Sequence, residues 1–248
     1  MTKDRIYLST IAGDAVDLAK ENGFGLEIAE YCTPWNMDER YEITHQKVQS
    51  KLQNIPSCLL HAPFNELFPC AIDPKARHLA ACRYRQALAI AAEYGAKKVI
   101  IHSGYYEKMY YPVWFVNESV KFWREFMQSY TGSAVICLEN VFEQDPRMLS
   151  DIVGQVGDSR LRMCLDIGHA NAYSAAPLSE WLDCGGQLIS HLHIHNNDGV
   201  SDRHDAIDCG SIDVAAFLRE AEQKCKDFTC TLEVRQARPS CAALEKML

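Results

Sequence analysis

Six short apolar runs in this chain each end in a carboxylate or an imidazole. They are CLLHAP with His61, KKVIIHSG with His102, VICLEN with Glu139, MCLDIGHA with Asp166 and His169, ISHLHIHNND with His193 and His195, and CTLEVR with Glu233. A near-continuous apolar run of this length suits a strand buried on both faces, as in a parallel sheet. Strands that all end in such side chains deliver them to one end of one sheet. The polar segment SDRHD adds Asp202 and His204. Mixed imidazole and carboxylate donors gathered in this way suit a divalent metal at a catalytic site.

The stretches between the runs read as helices that end in glycine, as AVDLAKENGFGLEIAE does at Gly23 and QALAIAAEYGAKKVIIHSG at Gly95. The pattern predicts strands near 5–10, 25–29, 57–61, 97–102, 135–139, 162–166, 190–195 and 229–234. Helices are predicted near 13–22, 38–53, 76–94, 114–130, 145–155, 177–184 and 213–226, with a short tail helix near 240–247. Such alternation implies a parallel sheet. An open doubly wound sheet gathers its site at one switch point. Here polar residues cap strands three to eight almost without a gap, which favours a closed (β/α)8 TIM barrel with its site at the C-terminal ends of the strands. No linker or low-complexity stretch divides the chain, so one domain is expected over residues 1–248.

The formal net charge is −8, so there is no basic footprint and nucleic acid is disfavoured as a partner. A local patch or bound cations would still attract phosphate. The 11 cysteines are odd in number and form no C-x-x-C pair. Cys58, Cys137, Cys164 and Cys230 fall inside predicted strands, where a thiol is a small buried hydrophobe. The segment MTKDRIYLST lacks the apolar core of a signal peptide. No apolar run approaches the ~18 residues of a membrane span. A reducing, cytoplasmic setting without a membrane partner is expected.

A buried carboxylate must pair, neutralise or bind metal. Glu139, Asp166 and Glu233 face either a barrel-mouth salt bridge to Arg162 or Arg235, or a metal. Three acids among many histidines and few cations favour the metal. His45 and His78 fall in amphipathic helices and are expected at the surface. His191, His193 and His195 alternate on one strand and share a face, the barrel interior if Leu192 and Ile194 pack outward. His191 is the deepest and reads as core. His193 lies at ligand height, and His195, one pleat higher, suits metal or substrate. Asp166 and His169 form a D-x-x-H pair whose alternative reading is a strand end followed by a helix cap. Arg203 and Glu27 are candidate substrate contacts, with a structural role an equal alternative for Glu27. Trp35, Trp114 and Tyr105 lie in loops near the expected pocket, where packing is the alternative. The turn at Gly210-Ser211 before IDVAAFL is a helix start that could hold a phosphate.

From GLEIAE to TLEVR, the ordered set HAPF, IHSG, LEN, LDIGHA, HIHNNDG, DRH and LEV resembles the xylose-isomerase-like TIM-barrel superfamily. That superfamily includes sugar-phosphate isomerases and epimerases and endonuclease IV-type apurinic endonucleases. The resemblance to the endonucleases implies three ions. His61, His102 and Glu139 would hold one, Glu139 would bridge to a second completed by Asp166, His193 and Glu233, and His169, Asp202 and His204 would hold a third. The resemblance to the epimerases implies one ion on Glu139, Asp166, His193 and Glu233. The chain departs from the endonuclease pattern: H-L-N-D reads H-I-H-N, the small G-x-G reads Asp208-Cys209-Gly210, and the loops are shorter.

The activity expected is a metal-dependent isomerase or epimerase of a sugar or sugar phosphate, with Glu139 and Glu233 transferring protons and His169 orienting the substrate. The alternative is an endonuclease IV-like multi-metal phosphoesterase, acting on apurinic DNA or a small phosphate ester. The cofactor expected is one to three divalent ions, zinc or manganese. The partner expected is a small carbohydrate, and the composition leaves room for a homo-oligomer.

Overall fold

The alternating runs become strands β1 Ile6–Ser9, β2 Gly25–Ile28, β3 Cys58–His61, β4 Lys98–His102, β5 Val135–Glu139, β6 Leu161–Asp166, β7 Ile189–Ile194 and β8 Thr229–Leu232. In the computed structural model, which describes residues 1–247, they pair in chain order as a closed parallel barrel. The helices are α1 Ala15–Asn22, α2 Pro34–Met37, α3 Tyr41–Leu52, α4 Pro74–Glu93, α5 Pro112–Ser129, α6 Arg147–Val156, α7 Ile167–Tyr173, α8 Leu178–Gly185, α9 Val214–Lys224 and α10 Ala237–Met247. Among the described residues, no helix is long and apolar enough to cross a membrane.

Alternation along each strand makes two cores. Outward side chains such as Leu26, Leu60, Leu192 and Ile194 join the large cluster between barrel and helices. Inward ones, Tyr7, Leu59, Ile100, Cys137 and Cys164, form a separate cluster inside the ring. Lys98 crosses the barrel beneath, donating to the Ser190 carbonyl and to Thr229 Oγ1. The lower barrel is therefore filled, and the polar strand ends occupy the opposite end. Register sets their height, with His102 beside Glu139 and Asp166 beside His193.

Gly23 ends α1 in the left-handed conformation, φ 72°, as the helix-then-glycine pattern implies. Two differences from the sequence reading stand out. The helix expected near 38–53 forms as α3, and a short helix that was not expected, α2, precedes it. A short helix, α7, follows β6 directly, and the Asp166 side chain caps it by accepting from the His169 amide at 2.7 Å. The helix-cap reading of the D-x-x-H pair therefore holds. It leaves Asp166 Oδ2 facing the site, 3.6 Å from His169 Nδ1.

Candidate metal centre and substrate cavity

The strand ends deliver their polar groups in layers. In the lower layer, Glu27 Oε2 accepts from Thr231 Oγ1 at 2.5 Å and lies 3.2 Å from His191 Nε2. Its Oε1 is 3.0 Å from His193 Nε2. Glu27 is fully buried here, which corrects its expected place as a substrate contact. It supports His193 from below, the place a carboxylate takes behind an imidazole that ligates metal. His191 is buried core, as read.

The next layer is the ligand cluster. Glu139 Oε2 lies 3.1 Å from His61 Nε2 and 3.4 Å from His102 Nε2. Its Oε1 lies 3.1 Å from His193 Nδ1 and 3.5 Å from His169 Nδ1. His193 Nδ1 is also 3.1 Å from Glu233 Oε2 and 3.7 Å from Asp166 Oδ2. Beside this group, His204 Nε2 and His169 Nε2 lie 3.1 and 3.4 Å from Asp202 Oδ2. His195 Nε2 lies 3.0 Å from Asp166 Oδ1 and 3.7 Å from Asp202 Oδ1.

These residues fit a divalent ion on three observations. First, the donor atoms of Glu139, Asp166, His193 and Glu233 lie within 4.8 Å of one another, as do those of His61, Glu139 and His193 and those of His169, His195, Asp202 and His204. Ligands about 2.0–2.2 Å from a shared ion are spaced in this range. Second, backbone carbonyls fix several tautomers. His61 Nδ1 donates to Ala62 O at 2.9 Å, His169 Nδ1 to Asn140 O at 2.9 Å and His204 Nδ1 to Glu233 O at 2.7 Å. Each thereby turns Nε2 toward the carboxylates, the arrangement that metal-binding histidines use. Third, Asp202 Oδ1 is buried without a hydrogen-bond partner.

The charges of the cluster balance internally. Burial alone would raise the Glu139 carboxyl, but His193 and His102 bring it well below the ordinary range. Asp166 is lowered likewise by His169 and His195 against its burial. Burial would lower His169 and His204, yet Asp166 and Asp202 lift His169 to about 10, and Asp202 and Glu233 lift His204 to about 9. His102 keeps the sign of its burial and falls to about 4. Neither arginine of the salt-bridge alternative takes part. Arg162 donates to the Gln187 carbonyl and Arg235 is exposed.

Several asparagines missed by the sequence reading frame the cluster. Asn140 clamps β5 to β6, donating to Asp166 O at 2.9 Å and accepting from Asp166 N at 2.8 Å. Asn197 Nδ2 donates to Gly168 O at 2.8 Å. Their only signal was their place, immediately after Glu139 and shortly after His195. Gly168 is required by close approach, since a Cβ there would stand 1.9 Å from His195 Cε1.

Above the cluster opens a cavity of about 650 Å³. Its polar side is formed by His61, His102, His169, Asp202, His204 and Glu233, and its other side by apolar side chains including Phe64, Tyr106, Phe142 and Tyr173. Tyr105 lines it as the sequence suggested, whereas Trp35 and Trp114 stand outside its lining. The Trp114 indole instead donates to Cys70 O. Arg203 also lies outside, a correction to its expected substrate contact: it is half exposed and paired with Asp198 and Asp205. His195 is fully buried behind the wall, which favours its ligand reading over substrate contact. Another cavity, of about 560 Å³ beside Arg85, Lys97 and Tyr130, opens at the far end of the barrel from the cluster.

The profile of the xylose isomerase-like TIM barrel family matches residues 16–247. The chain belongs to this family. A relative from Methanocaldococcus jannaschii, uncharacterized protein MJ1311, is 28% identical over 197 residues, spanning 75% of this chain and 67% of its own. The family fold recurs in the TTHB071 protein from Thermus thermophilus, solved after soaking with ZnCl2. That structure has a TM-score of 0.76 and 26% identity, and the match covers 98% of this chain and 97% of that one. A D-tagatose 3-epimerase-like protein shares the fold with a TM-score of 0.76 and 23% identity, over 98% of this chain and 95% of its own.

Proposed function

We propose that this family member is a divalent-metal-dependent isomerase or epimerase that moves a proton at a carbon next to the carbonyl of a sugar. One observation carries the reading: Glu233 belongs to the ligand cluster, 3.1 Å from His193, and also lines the cavity. A carboxylate in that position reaches both the ligand group and a substrate above it. The likeness to a D-tagatose 3-epimerase-like protein supports the same reaction class. Glu139, Asp166, His193 and Glu233 would hold a zinc or manganese ion, which when bound would supply the Lewis acidity that polarises a carbonyl and acidifies the neighbouring C–H.

The chain's own groups then divide the work. Burial works to raise Glu233, and His193 holds it lowered, so it stands ready as a carboxylate to accept the proton. Glu139, on the other flank of His193, would supply a second proton to the opposite face, and so would have to enter the cycle in its acid form. His169 and His204 border the cavity and orient hydroxyls. The apolar wall keeps water from the carbanionic carbon.

One observation favours a phosphoesterase as a second reading. Each Glu139 oxygen faces two imidazoles, which is the setting of a carboxylate that bridges two ions, and a single-ion epimerase has no need of His61 and His102. Incubation with a panel of ketoses in D2O separates the two. Carbon-bound deuterium should appear and should vanish in Glu233→Gln. Phosphate release from a sugar phosphate, or cleavage of an abasic oligonucleotide, without any exchange would overturn the isomerase.

A further inference from the structure

The cavity mouth is divided in two. Strands β7 and β8 and the loop between them carry its polar half: Asp202, His204 and Glu233. Strands β3 to β6 are followed by Phe64, Tyr106, Phe142 and Tyr173, one ring after each strand. Tyr106, Phe142 and Tyr173 touch in series, and Phe64 completes the arc from beside His102. Tyr106 meets Phe142 edge-on at 5.7 Å and Phe142 meets Tyr173 at 5.0 Å. The arc is anchored to the ligand layer at both ends. Phe64 stacks on His102 at 4.3 Å, and Tyr173 stacks on His169 at 6.3 Å. Tyr106 remains 40% exposed, a large ring left facing water at the entrance.

Away from the imidazoles of the ligand layer, the same cavity offers a phosphate no cationic side chain. No lysine or arginine is among its lining residues. The turn before α9, where barrels often take phosphate, has three of its amides engaged within the protein. Ser211 N donates to Asn197 O at 2.8 Å, Ile212 N to Asn196 Oδ1 at 3.0 Å and Ala216 N to the Asp213 carboxylate at 2.9 Å. An anion there would meet a capping aspartate in place of free N–H groups.

We infer that the substrate is an uncharged sugar that carries a ketone and is joined through another carbon to an apolar group, as in the keto form of an aryl glycoside. The hydroxylated ring faces the cluster, and the apolar part lies along the aromatic arc. The volume agrees, since about 650 Å³ falls in the range of sites for ligands larger than a single sugar ring. The inference rests on the reading of this cavity as a sugar site. It narrows that reading by setting aside phosphorylated sugars.

Calorimetric titration of the full chain loaded with zinc tests it, with phenyl β-D-glucoside, D-fructose and D-fructose 6-phosphate as probes. The aryl glycoside should bind about tenfold more tightly than D-fructose, the scale of a stacked aromatic contact. D-fructose 6-phosphate should bind no better than D-fructose. Tyr106→Ala, at an exposed position where folding is safe, and Phe142→Ala should each weaken the glycoside several-fold while leaving D-fructose unchanged. Tightest binding of the phosphate, equal binding of glycoside and D-fructose, or indifference of the glycoside to both variants would each overturn the inference. The reaction is read separately. Phenyl β-D-glucoside has no ketone and reads binding alone, so exchange is followed on D-fructose: selective glycoside binding without exchange there sinks the isomerase and leaves this inference standing, whereas exchange with a preferred phosphate does the reverse.

Discussion

Glu27 stands at the level of Leu59, one pleat below His61, because β2 pairs Glu27 with Leu59. That single step of register turns a candidate substrate contact into the support of a ligand. Replacing it with Gln keeps the shape and removes the charge that fixes His193. Glu27→Gln should therefore lower metal affinity roughly 10–100-fold while the barrel still folds, as read by competition with a chromophoric chelator alongside thermal melting. Unchanged affinity would leave Glu27 a core residue only. The members of the cluster were legible in the sequence because an apolar run seldom closes on a carboxylate or imidazole unless the interior holds a partner for that group. Their depth was not, since it depends on pairings between strands distant in the chain. Arg203 shows the same limit from the other side. It stands between Asp202 and His204 in the chain, yet its side chain turns outward to Asp198 and Asp205.

At the level of elements, the strands were readable because both of their faces are buried, giving runs that no surface helix produces. Helix α7 was not, since its seven residues form too short a pattern and its start is dictated by the Asp166 cap. The aromatic arc was equally hidden. Phe64, Tyr106, Phe142 and Tyr173 sit in unrelated contexts and become neighbours only when four strand ends meet. The long helices are held differently, by aromatic packing. Trp123 of α5 stacks on Tyr84 of α4 at 5.7 Å and touches Phe122 and Phe126. Its indole N–H has no partner among the described residues. Trp123→Ala should cost about 3–5 kcal/mol in urea unfolding. Trp123→Phe should cost less than about 1.5 kcal/mol, because the ring contacts survive and an unsatisfied donor is removed. Equal losses in the two variants would mean that the indole nitrogen matters in a way its surroundings do not suggest.

For the molecule as a whole, the metal-free and metal-loaded forms should respond to pH in opposite senses. Burial opposes charge on His169 and His204, but their carboxylates raise them to about 10 and about 9. Groups raised in the folded state stabilise it fully below the ordinary histidine value of about 6.5 and lose that contribution as pH climbs through the raised values. Chelator-treated protein should therefore unfold at lower urea near pH 9.5 than near pH 7, by about 1 kcal/mol or more. An ion requires neutral imidazoles, so zinc binding should release protons and tighten as pH rises. Proton release is read by calorimetry in buffers of different ionisation enthalpy, and zinc uptake without it would contradict the charged-imidazole picture. The plug of Tyr7, Ile100, Cys137 and Lys98 beneath the cluster has a consequence for turnover. With the bottom of the ring sealed, arrivals and departures share one doorway. A product of the proposed reaction that lingers on the aromatic side must then compete with incoming substrate, and at high conversion that reaction would throttle itself.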